Sequence, residues 1–403
     1  MRKSMLMGGV AALVAALAVP VAWAAAPATV EVAAPAPGAL LWVQATAVPA
    51  TLPHAATREV ITYRSRGVHG EPIVVSGYAL LPKDAPPKGG WPVLAWAHGT
   101  TGVTDTCAPS GDYVGGPIHP YETAMETALD WWLARGYAVV ATDYQGLGTP
   151  GGHPYMDATS QLHTVDDAVR ALHALRPGAF SKDWLVMGHS QGGAAALAVA
   201  AHGQADLPQY KLRGAITIAP GGYRYSAIME YLKANPHPPV GVALFFPIML
   251  QGAQAADPKL DVEQLISPDL QPLMNLAGSR CLAELRTEVK QAPATVFKPG
   301  ADLAPLTAYL DRQAIGHLQP TVPVMFVQGS ADQLVAAGGT QAYYKQICAA
   351  HATAFYHDVQ GGSHGDALAQ SPAAAHDFLA FLAGGHQLKT CAPVAGTPPA
   401  ATH

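Results

Sequence analysis

Short apolar runs alternate with segments of helical periodicity through most of the chain. The apolar and β-branched runs predict eight strands, EVITYRS, IVVSGYALL, PVLAWA, YAVVATD, DWLVMGH, GAITIA, VPVMFV and TAFYHDV. Predicted helices include Glu122–Arg135, Thr164–Leu175, Gly192–His202, Thr340–Ala350 and Ala373–Ala383. This alternation predicts an α/β fold, a mostly parallel central sheet with helices on both faces. The first two predicted strands follow each other without a helix, so we expect them to form an antiparallel edge.

Residues 220–319 break this rhythm. The segment is rich in Pro, Leu and Ala and offers helical pieces but no convincing strand, and it separates two predicted strands of one sheet. We therefore expect an inserted helical cap above the carboxyl edge of the sheet, where open α/β sheets bind their ligands. The core is then expected in residues 41–219 and 320–391.

Both ends of the chain differ in composition from the rest. Residues 1–24, MRKSMLMGGVAALVAALAVPVAWA, combine two basic residues, an apolar stretch and a small-residue cleavage signal. This pattern is typical of a secretory signal peptide and predicts a secreted or periplasmic protein without a transmembrane segment. Residues 25–40 and 392–403 are rich in Ala and Pro and are expected to be disordered.

Composition narrows the classes of function. Half of the 403 residues are hydrophobic and only 13% are charged, so the chain can bury a large core and is not a disordered protein. The net charge is −5 and no basic run is present. We therefore expect no nucleic-acid partner.

The chain has four cysteines, Cys107, Cys281, Cys348 and Cys391. An even number in an exported protein predicts two disulfides, and three pairings are possible. We favour Cys107–Cys281 and Cys348–Cys391, because the second would tie down the segment after the last helix; free buried thiols are the alternative. The spacings fit no zinc site, and we predict no metal.

The stretch GLGTPG, residues 146–151, fits the glycine pattern of a dinucleotide site. Such a site requires a helix directly after the glycines, whose N-terminus holds the phosphates. Here two prolines and another glycine follow, and the next predicted helix begins near Thr164. We therefore expect these glycines to turn the backbone near a pocket and predict no nucleotide cofactor.

A second glycine motif, GHSQG, contains Ser190 between a predicted strand and a predicted helix. Strand, G-x-S-x-G and helix in this order are the nucleophile elbow, in which the turn lifts the serine oxygen above the sheet. Ser190 is thus the predicted nucleophile, and the N–H of Gln191 is expected to face a developing oxyanion. A strand–helix turn without chemistry is the alternative interpretation.

A serine nucleophile requires a base, and the elbow predicts an acid and then a histidine downstream. Asp332 follows the strand VPVMFV, and His364 lies in the Gly-flanked, exposed segment GGSHGD. We predict Asp332 as the acid and His364 as the base. Weaker candidates are His357 for the base and Asp358 and Asp366 for the acid.

The segment HGTTG follows the strand PVLAWA and offers a second oxyanion donor. After His98 and Gly99, the backbone N–H of either Thr100 or Thr101 is a candidate; a purely structural turn is the alternative. With Ser190 and the acid and base downstream, these pieces stand in the chain order of an α/β-hydrolase.

Over residues 40–392 the sequence resembles the secretory lipase family, which includes fungal lipase A enzymes and bacterial relatives. The resemblance rests on HGTTG, TCAPS, DYQGLGTPG, GHSQGG, GSADQLV and GGSHGD. It implies an α/β-hydrolase fold with a helical cap, the favoured disulfide pairing and a DYQGLG loop beside the catalytic serine. It also implies a serine acyl-hydrolase in which Ser190, Asp332 and His364 form the triad.

The expected function is hydrolysis of carboxylic esters, by a lipase or an esterase, without a cofactor. The substrate is then an ester or a lipid, and transient contact with a lipid interface is compatible with the apolar segment Val240–Leu250. This segment is expected to line an acyl tunnel, to face lipid or to form the core of the cap. A serine peptidase or amidase of the same fold is the alternative function, whereas non-catalytic relatives usually lack a triad member.

Overall fold

Nine strands form one sheet in the computed structural model, which describes residues 36–234, 238–385 and 388–394. The strands are β1 (Leu40–Thr46), β2 (Ala55–Arg66), β3 (Pro72–Pro82), β4 (Trp91–Ala97), β5 (Ala138–Thr142), β6 (Phe180–His189), β7 (Lys211–Ile218), β8 (Val324–Gly329) and β9 (Ala354–Val359). Their order across the sheet is β1-β2-β3-β5-β4-β6-β7-β8-β9. The first three pairings are antiparallel and all others are parallel, which confirms the predicted mostly parallel sheet.

The antiparallel edge contains one strand that the sequence analysis missed. In β1, the consecutive residues Leu41, Trp42 and Val43 are 41, 48 and 41% exposed. The strand therefore lacks the alternation of buried and exposed positions that marks a half-buried strand. It is held by its main-chain pairing with β2.

Thirteen α-helices accompany the sheet in the described residues. They are α1 (His119–Leu133), α2 (Ala158–Leu175), α3 (Gln191–Asp206), α4 (Tyr225–Ala234), α5 (Val240–Ala243), α6 (Phe245–Ala256), α7 (Val262–Leu265), α8 (Gln271–Ala277), α9 (Leu282–Glu288), α10 (Ala304–Gln313), α11 (Ala337–Ala349), α12 (His364–Ala369) and α13 (Ser371–Leu382). Helix α2 begins earlier than the predicted Thr164, because the side chain of Asp157 accepts a hydrogen bond from Ser160 N–H and caps it.

Helices cover both faces of the sheet. Along β6, Val186 packs in one hydrophobic cluster with α2, α3 and α11, whereas Met187 packs in a second cluster with α1 and α13. Successive side chains of a strand point to opposite faces, so burial on both faces requires apolar residues at consecutive positions. This explains why the central strands read as continuous apolar runs.

Helices α4 to α10 lie in the insertion between β7 and β8, where a helical cap was predicted. Apart from the helices, Ile266 and Phe297 form an isolated antiparallel bridge in this insertion. Much of the segment Val240–Leu250 is buried, with Phe246, Ile248 and Leu250 each at most 2% exposed. Among the helices of the described residues, none has both the length and the apolarity that crossing a membrane requires.

Two disulfides connect distant parts of the chain. Cys107, in the loop after β4, is bonded to Cys281, which directly precedes α9 of the insertion. Cys348, near the end of α11, is bonded to Cys391. This is the pairing that the sequence analysis favoured.

The terminal predictions are tested only in part, because residues 1–35 and 395–403 lie outside the described residues. The prediction of disorder is wrong for the described end of 25–40. Gly38 N–H donates to Arg64 O at 2.7 Å, and Arg64 N–H donates to Ala39 O at 2.9 Å. At the other end, Ala392 O accepts a hydrogen bond from Tyr344 Oη at 3.1 Å. On the side of the terminal residues these contacts are made by main-chain groups, which leave no hydrophobic pattern in the sequence.

Candidate active site

Ser190 lies between the end of β6 and the start of α3, as the G-x-S-x-G motif predicted. Its backbone has φ 59° and ψ −113°, a combination that residues with a side chain rarely adopt. Such a conformation costs on the order of 1–3 kcal/mol and persists only where the surroundings enforce it. Ser190 N–H donates to Ile218 O of β7 at 2.8 Å, which holds the turn against the sheet.

The glycines of the motif allow this turn by close approach of the backbone. A Cβ on Gly192 would lie 1.9 Å from Ala97 O of β4, and a Cβ on Gly188 would lie 2.0 Å from Gly192 O. Both distances are far shorter than any real contact, and the opposing atoms are backbone, which cannot move aside. Glycine is therefore required at both positions for α3 to begin directly above the sheet.

His364 and Asp332 approach each other at the carboxyl edge of the sheet. His364 Nδ1 lies 2.7 Å from Asp332 Oδ2, and the Asp332 side chain is fully buried. Asp332 Oδ1 also accepts hydrogen bonds from the N–H groups of Leu334 and Val335, at 2.8 and 2.9 Å. Burial acts to raise the pKa of Asp332, but His364 and the two N–H groups outweigh it and hold the pKa below its usual value. An ionised carboxylate thus orients the imidazole.

The surroundings of His364 differ from the predicted exposed loop. His364 is the first residue of α12, and its side chain is only 15% exposed. Asp366, a weaker candidate for the acid, accepts hydrogen bonds from the N–H and the hydroxyl of Ser363 and so caps this helix. The short helix fixes His364, whereas the glycines before it had indicated a flexible segment.

One cavity brings four of the predicted residues together. Ser190, His364, Thr100 and Thr101 all line it. Its apolar lining comes from Ile118, Phe245, Leu282 and Leu334. The cavity thus combines a hydroxyl, an imidazole and an apolar wall at the carboxyl edge of the sheet.

Thr100 and Thr101 lie in the loop after β4, where the second oxyanion donor was predicted. Thr100 Oγ1 lies 2.7 Å from Tyr155 Oη. Thr101 O accepts a hydrogen bond from Leu282 N–H at 2.7 Å, which ties this loop to α9. Thr101 Oγ1 is buried and has no hydrogen-bond partner among the described residues. Both threonines are thus held at the cavity.

Gln191 is the first residue of α3, and the first N–H groups of a helix have no acceptor within it. The side chain of Gln191 bonds elsewhere, since its Nε2 donates to His153 Nε2 at 3.1 Å. The backbone N–H is thus the group of Gln191 that remains for an oxyanion. His153 Nδ1 in turn donates to Gln145 O at 2.8 Å. Burial lowers the pKa of His153 to about 4, so the ring is neutral and its Nε2 can accept. Gln145 and His153 flank the GLGTPG stretch, so this loop lies beside the serine turn and positions Gln191.

A series of hydrogen bonds joins the loop after β4 to His364 at the start of α12. Gly99 N–H donates to Tyr121 Oη at 2.6 Å, and Tyr121 Oη donates to His189 Nδ1 at 3.2 Å. His189 Nε2 donates to His364 O at 3.3 Å, and the two imidazole rings lie 4.5 Å apart. Burial lowers the pKa of His189 to about 3, so His189 is neutral, as this series of hydrogen bonds requires. Gly99 N–H is already used, which leaves Thr100 and Thr101 as candidate donors.

Comparison with known protein families identifies the group to which this arrangement belongs. The model of the family described as Hydrolase_4, serine aminopeptidase S33, matches residues 119–365. The chain belongs to this family. The matched range includes Ser190, Asp332 and His364 and begins after the HGTTG loop. A search of curated proteins found no match.

Solved structures with the same fold include two ester hydrolases. Candida antarctica lipase A in its closed state superposes with a TM-score of 0.74 at 16% identity, covering 91% of this chain and 88% of the lipase. The rice cell wall degrading esterase LipA from Xanthomonas oryzae gives a TM-score of 0.66 at 23% identity, covering 84% of this chain and 95% of the esterase. The shared fold is that of α/β-hydrolases and agrees with the resemblance to secretory lipases.

Sequence reasoning missed several residues of the site in this Hydrolase_4 protein. It gave no role to Tyr121, to His153 or to Arg286, which also lines the cavity. His189 stood inside the recognised motif, yet nothing in the motif shows that its ring contacts His364. These residues come from a helix start, a loop and the insertion, and only the fold brings them together.

The pH dependence of stability tests the Asp332–His364 pair. A carboxyl group whose folded pKa is depressed stabilises the fold above its unfolded pKa of about 3.9, and this contribution is lost as the pH falls through the lower folded value. Asp332→Asn should therefore lower Tm at pH 7, by on the order of 2 °C. The difference from the wild type should shrink below about pH 4. Thermal unfolding from pH 7 to pH 3 measures both; a constant difference across this range would contradict the assignment.

Proposed function

We propose that the protein is an exported serine hydrolase of carboxylic esters, a lipase or an esterase, in which Ser190, His364 and Asp332 form the catalytic triad. The observation that carries the proposal is the 2.7 Å contact between His364 and Asp332 at a cavity that Ser190 also lines. A strained serine at a strand–helix turn, beside a histidine paired with a buried carboxylate, fits the geometry of nucleophilic acyl transfer.

The reaction proceeds in two steps. His364 Nε2 removes the hydroxyl proton of Ser190 as Oγ attacks the ester carbonyl, and the alcohol leaves with that proton. Water then attacks the acyl-enzyme with His364 again as base, and the carboxylic acid is released. Asp332 holds Nδ1 of His364, so the other ring nitrogen is free to face the serine, and it stabilises the imidazolium that forms.

Backbone N–H groups stabilise the oxyanion of the tetrahedral intermediate. Gln191 contributes its N–H from the start of α3, where the helix dipole adds a partial positive charge. The second donor comes from the N–H of Thr100 or Thr101 on the opposite loop. Loss of one such donor commonly costs about 10²–10³ in rate.

Ester substrates are favoured by the apolar lining of the cavity and by the fold shared with a lipase and an esterase. Phe245 belongs to the segment Val240–Leu250 and lines the cavity, while most of that segment is packed in the cap. Leu334 lines the cavity as well and remains 41% exposed. These side chains give the acyl group an apolar contact close to Ser190 and support transient contact with lipid.

A serine peptidase or amidase is the second candidate. The family description names an aminopeptidase, and the same triad also hydrolyses amides. Assays with amino-acid p-nitroanilides distinguish this activity from ester hydrolysis.

We also propose that the protein is secreted or periplasmic. Two disulfides support this location, because such bonds persist in oxidising compartments and are rare in the cytosol. The signal-peptide pattern of residues 1–24 supports it independently.

Initial rates on p-nitrophenyl esters with acyl chains of two to sixteen carbons test the proposed reaction. The wild type should hydrolyse at least the shorter esters, and Ser190→Ala should lose at least about 10³-fold in kcat, because no other group supplies the nucleophile. Circular dichroism should show that the variant keeps its fold. Hydrolysis of p-nitroanilides but of no ester would favour the peptidase, and full activity of Ser190→Ala would exclude the assigned nucleophile.

Tyr121→Phe tests the series of hydrogen bonds that runs from Gly99 through Tyr121 and His189 to His364. Loss of the hydroxyl leaves Gly99 N–H without its acceptor and His189 Nδ1 without its donor, so we expect kcat to fall about tenfold with a smaller change in KM. Tyr113→Phe is a matched control, because Tyr113 is 65% exposed. Equal activity of the two variants would show that these hydrogen bonds do not position the catalytic groups.

A further inference from the structure

Arg286 places a positive charge at the wall of the candidate active site. It lies in α9, the short helix that follows Cys281, and it lines the cavity with Leu282 and Ala283 of the same helix. Leu282 N–H donates to Thr101 O, and Cys281 is bonded to Cys107. Residues four positions apart lie on one face of a helix, so these contacts hold Arg286 on the cavity side.

The neighbouring acidic residues are engaged elsewhere. Glu284 accepts a hydrogen bond from Cys281 N–H at 2.8 Å, and Glu288 pairs with Arg280 at 3.1 Å. The side chain of Arg286 has no ion pair with a carboxylate among the described residues. Arg280 thus lies beside both acidic residues of α9, and the guanidinium of Arg286 has no carboxylate partner in the part of the chain that the structure describes.

The cavity itself supplies no counter-charge. Its described lining contains hydroxyl, imidazole, backbone and apolar groups but no carboxylate. Asp332 is fully buried behind His364. Burial is the main cause of the lowered pKa of His189 and of the raised pKa of Tyr155; the charge of Arg286 adds to the first shift and opposes the second. An anionic group on a ligand near Ser190 would therefore meet an uncompensated cation.

We propose that Arg286 is a specificity residue that binds a carboxylate carried by the substrate, so that the preferred esters bear a carboxylate near the scissile bond. The planar guanidinium suits this role because it binds a carboxylate through two parallel hydrogen bonds. The proposal rests on the proposed ester hydrolysis and adds the chemical class of the substrate. The carboxylate is on the acyl part, as in a half-ester of a dicarboxylic acid, or on the leaving alcohol.

Matched anionic and neutral esters test the proposal. The acyl-side pair is mono-p-nitrophenyl glutarate and its methyl ester; the alcohol-side pair is 4-carboxyphenyl butyrate and its methyl ester. For at least one pair we expect the wild type to prefer the anionic ester by about 10- to 100-fold in kcat/KM, the range of a hydrogen bond to a charged group. Arg286→Gln should remove this preference, and Arg286→Lys should retain part of it.

Arg280→Gln is the matched control, because Arg280 lies just before the same helix and pairs with Glu288 at the surface. It should leave the anionic-to-neutral ratio unchanged. Raising the salt concentration should weaken the wild-type preference, since the charge pair is partly exposed to solvent.

Two results would overturn the proposal. One is hydrolysis of the neutral esters without preference for either anionic ester. The other is an equal loss on both members of a pair in Arg286→Gln, which would mean that the charge acts on the oxyanion of any ester. Failure to hydrolyse any ester, neutral or anionic, would instead remove the proposed function on which this inference depends.

Discussion

The backbone contact between β4, β6 and α3 is the constraint on which the candidate site depends. Because Gly188 and Gly192 lack a Cβ, the start of α3 approaches Ala97 O closely enough to force Ser190 into a left-handed conformation. The parallel strands around it place the loops after β4, β8 and β9 at the same edge of the sheet. A hydroxyl and an imidazole from distant parts of the sequence therefore line one cavity, and a buried carboxylate lies behind the imidazole.

Neutral buried histidines hold the surroundings of the serine in place. His153 connects Gln145 to Gln191, and His189 connects Tyr121 to His364. Burial keeps both rings uncharged at neutral pH, so each has one donor and one acceptor nitrogen, and its hydrogen bonds have a fixed direction. The ionised group of the arrangement is Asp332, which lies behind His364. This arrangement limits the number of charges beside the serine, and Arg286 is the charged side chain in the described lining of the cavity.

The sequence was sufficient for the main features of the fold because the central strands are apolar on both faces and the helices between them are periodic. The order of HGTTG, GHSQG, Asp332 and His364 also predicted which residues lie close together. Strand β1 was missed because main-chain pairing holds it, and a half-exposed apolar strand shows no alternation. The start of α2 was misplaced because Asp157 caps it before the periodic part begins. Tyr121, His153 and Arg286 were not found because their roles depend on distances across the fold, which no local pattern encodes.

Covalent labelling with a fluorophosphonate tests the central claim most directly, because this reagent phosphonylates a serine only when a neighbouring base activates it. Peptide mapping by mass spectrometry should locate a single adduct on Ser190 in the wild type. The rate of labelling should fall by at least about 10²-fold in His364→Ala, the lower end of what a general base contributes. An adduct on another residue, or an undiminished rate in His364→Ala, would contradict the account.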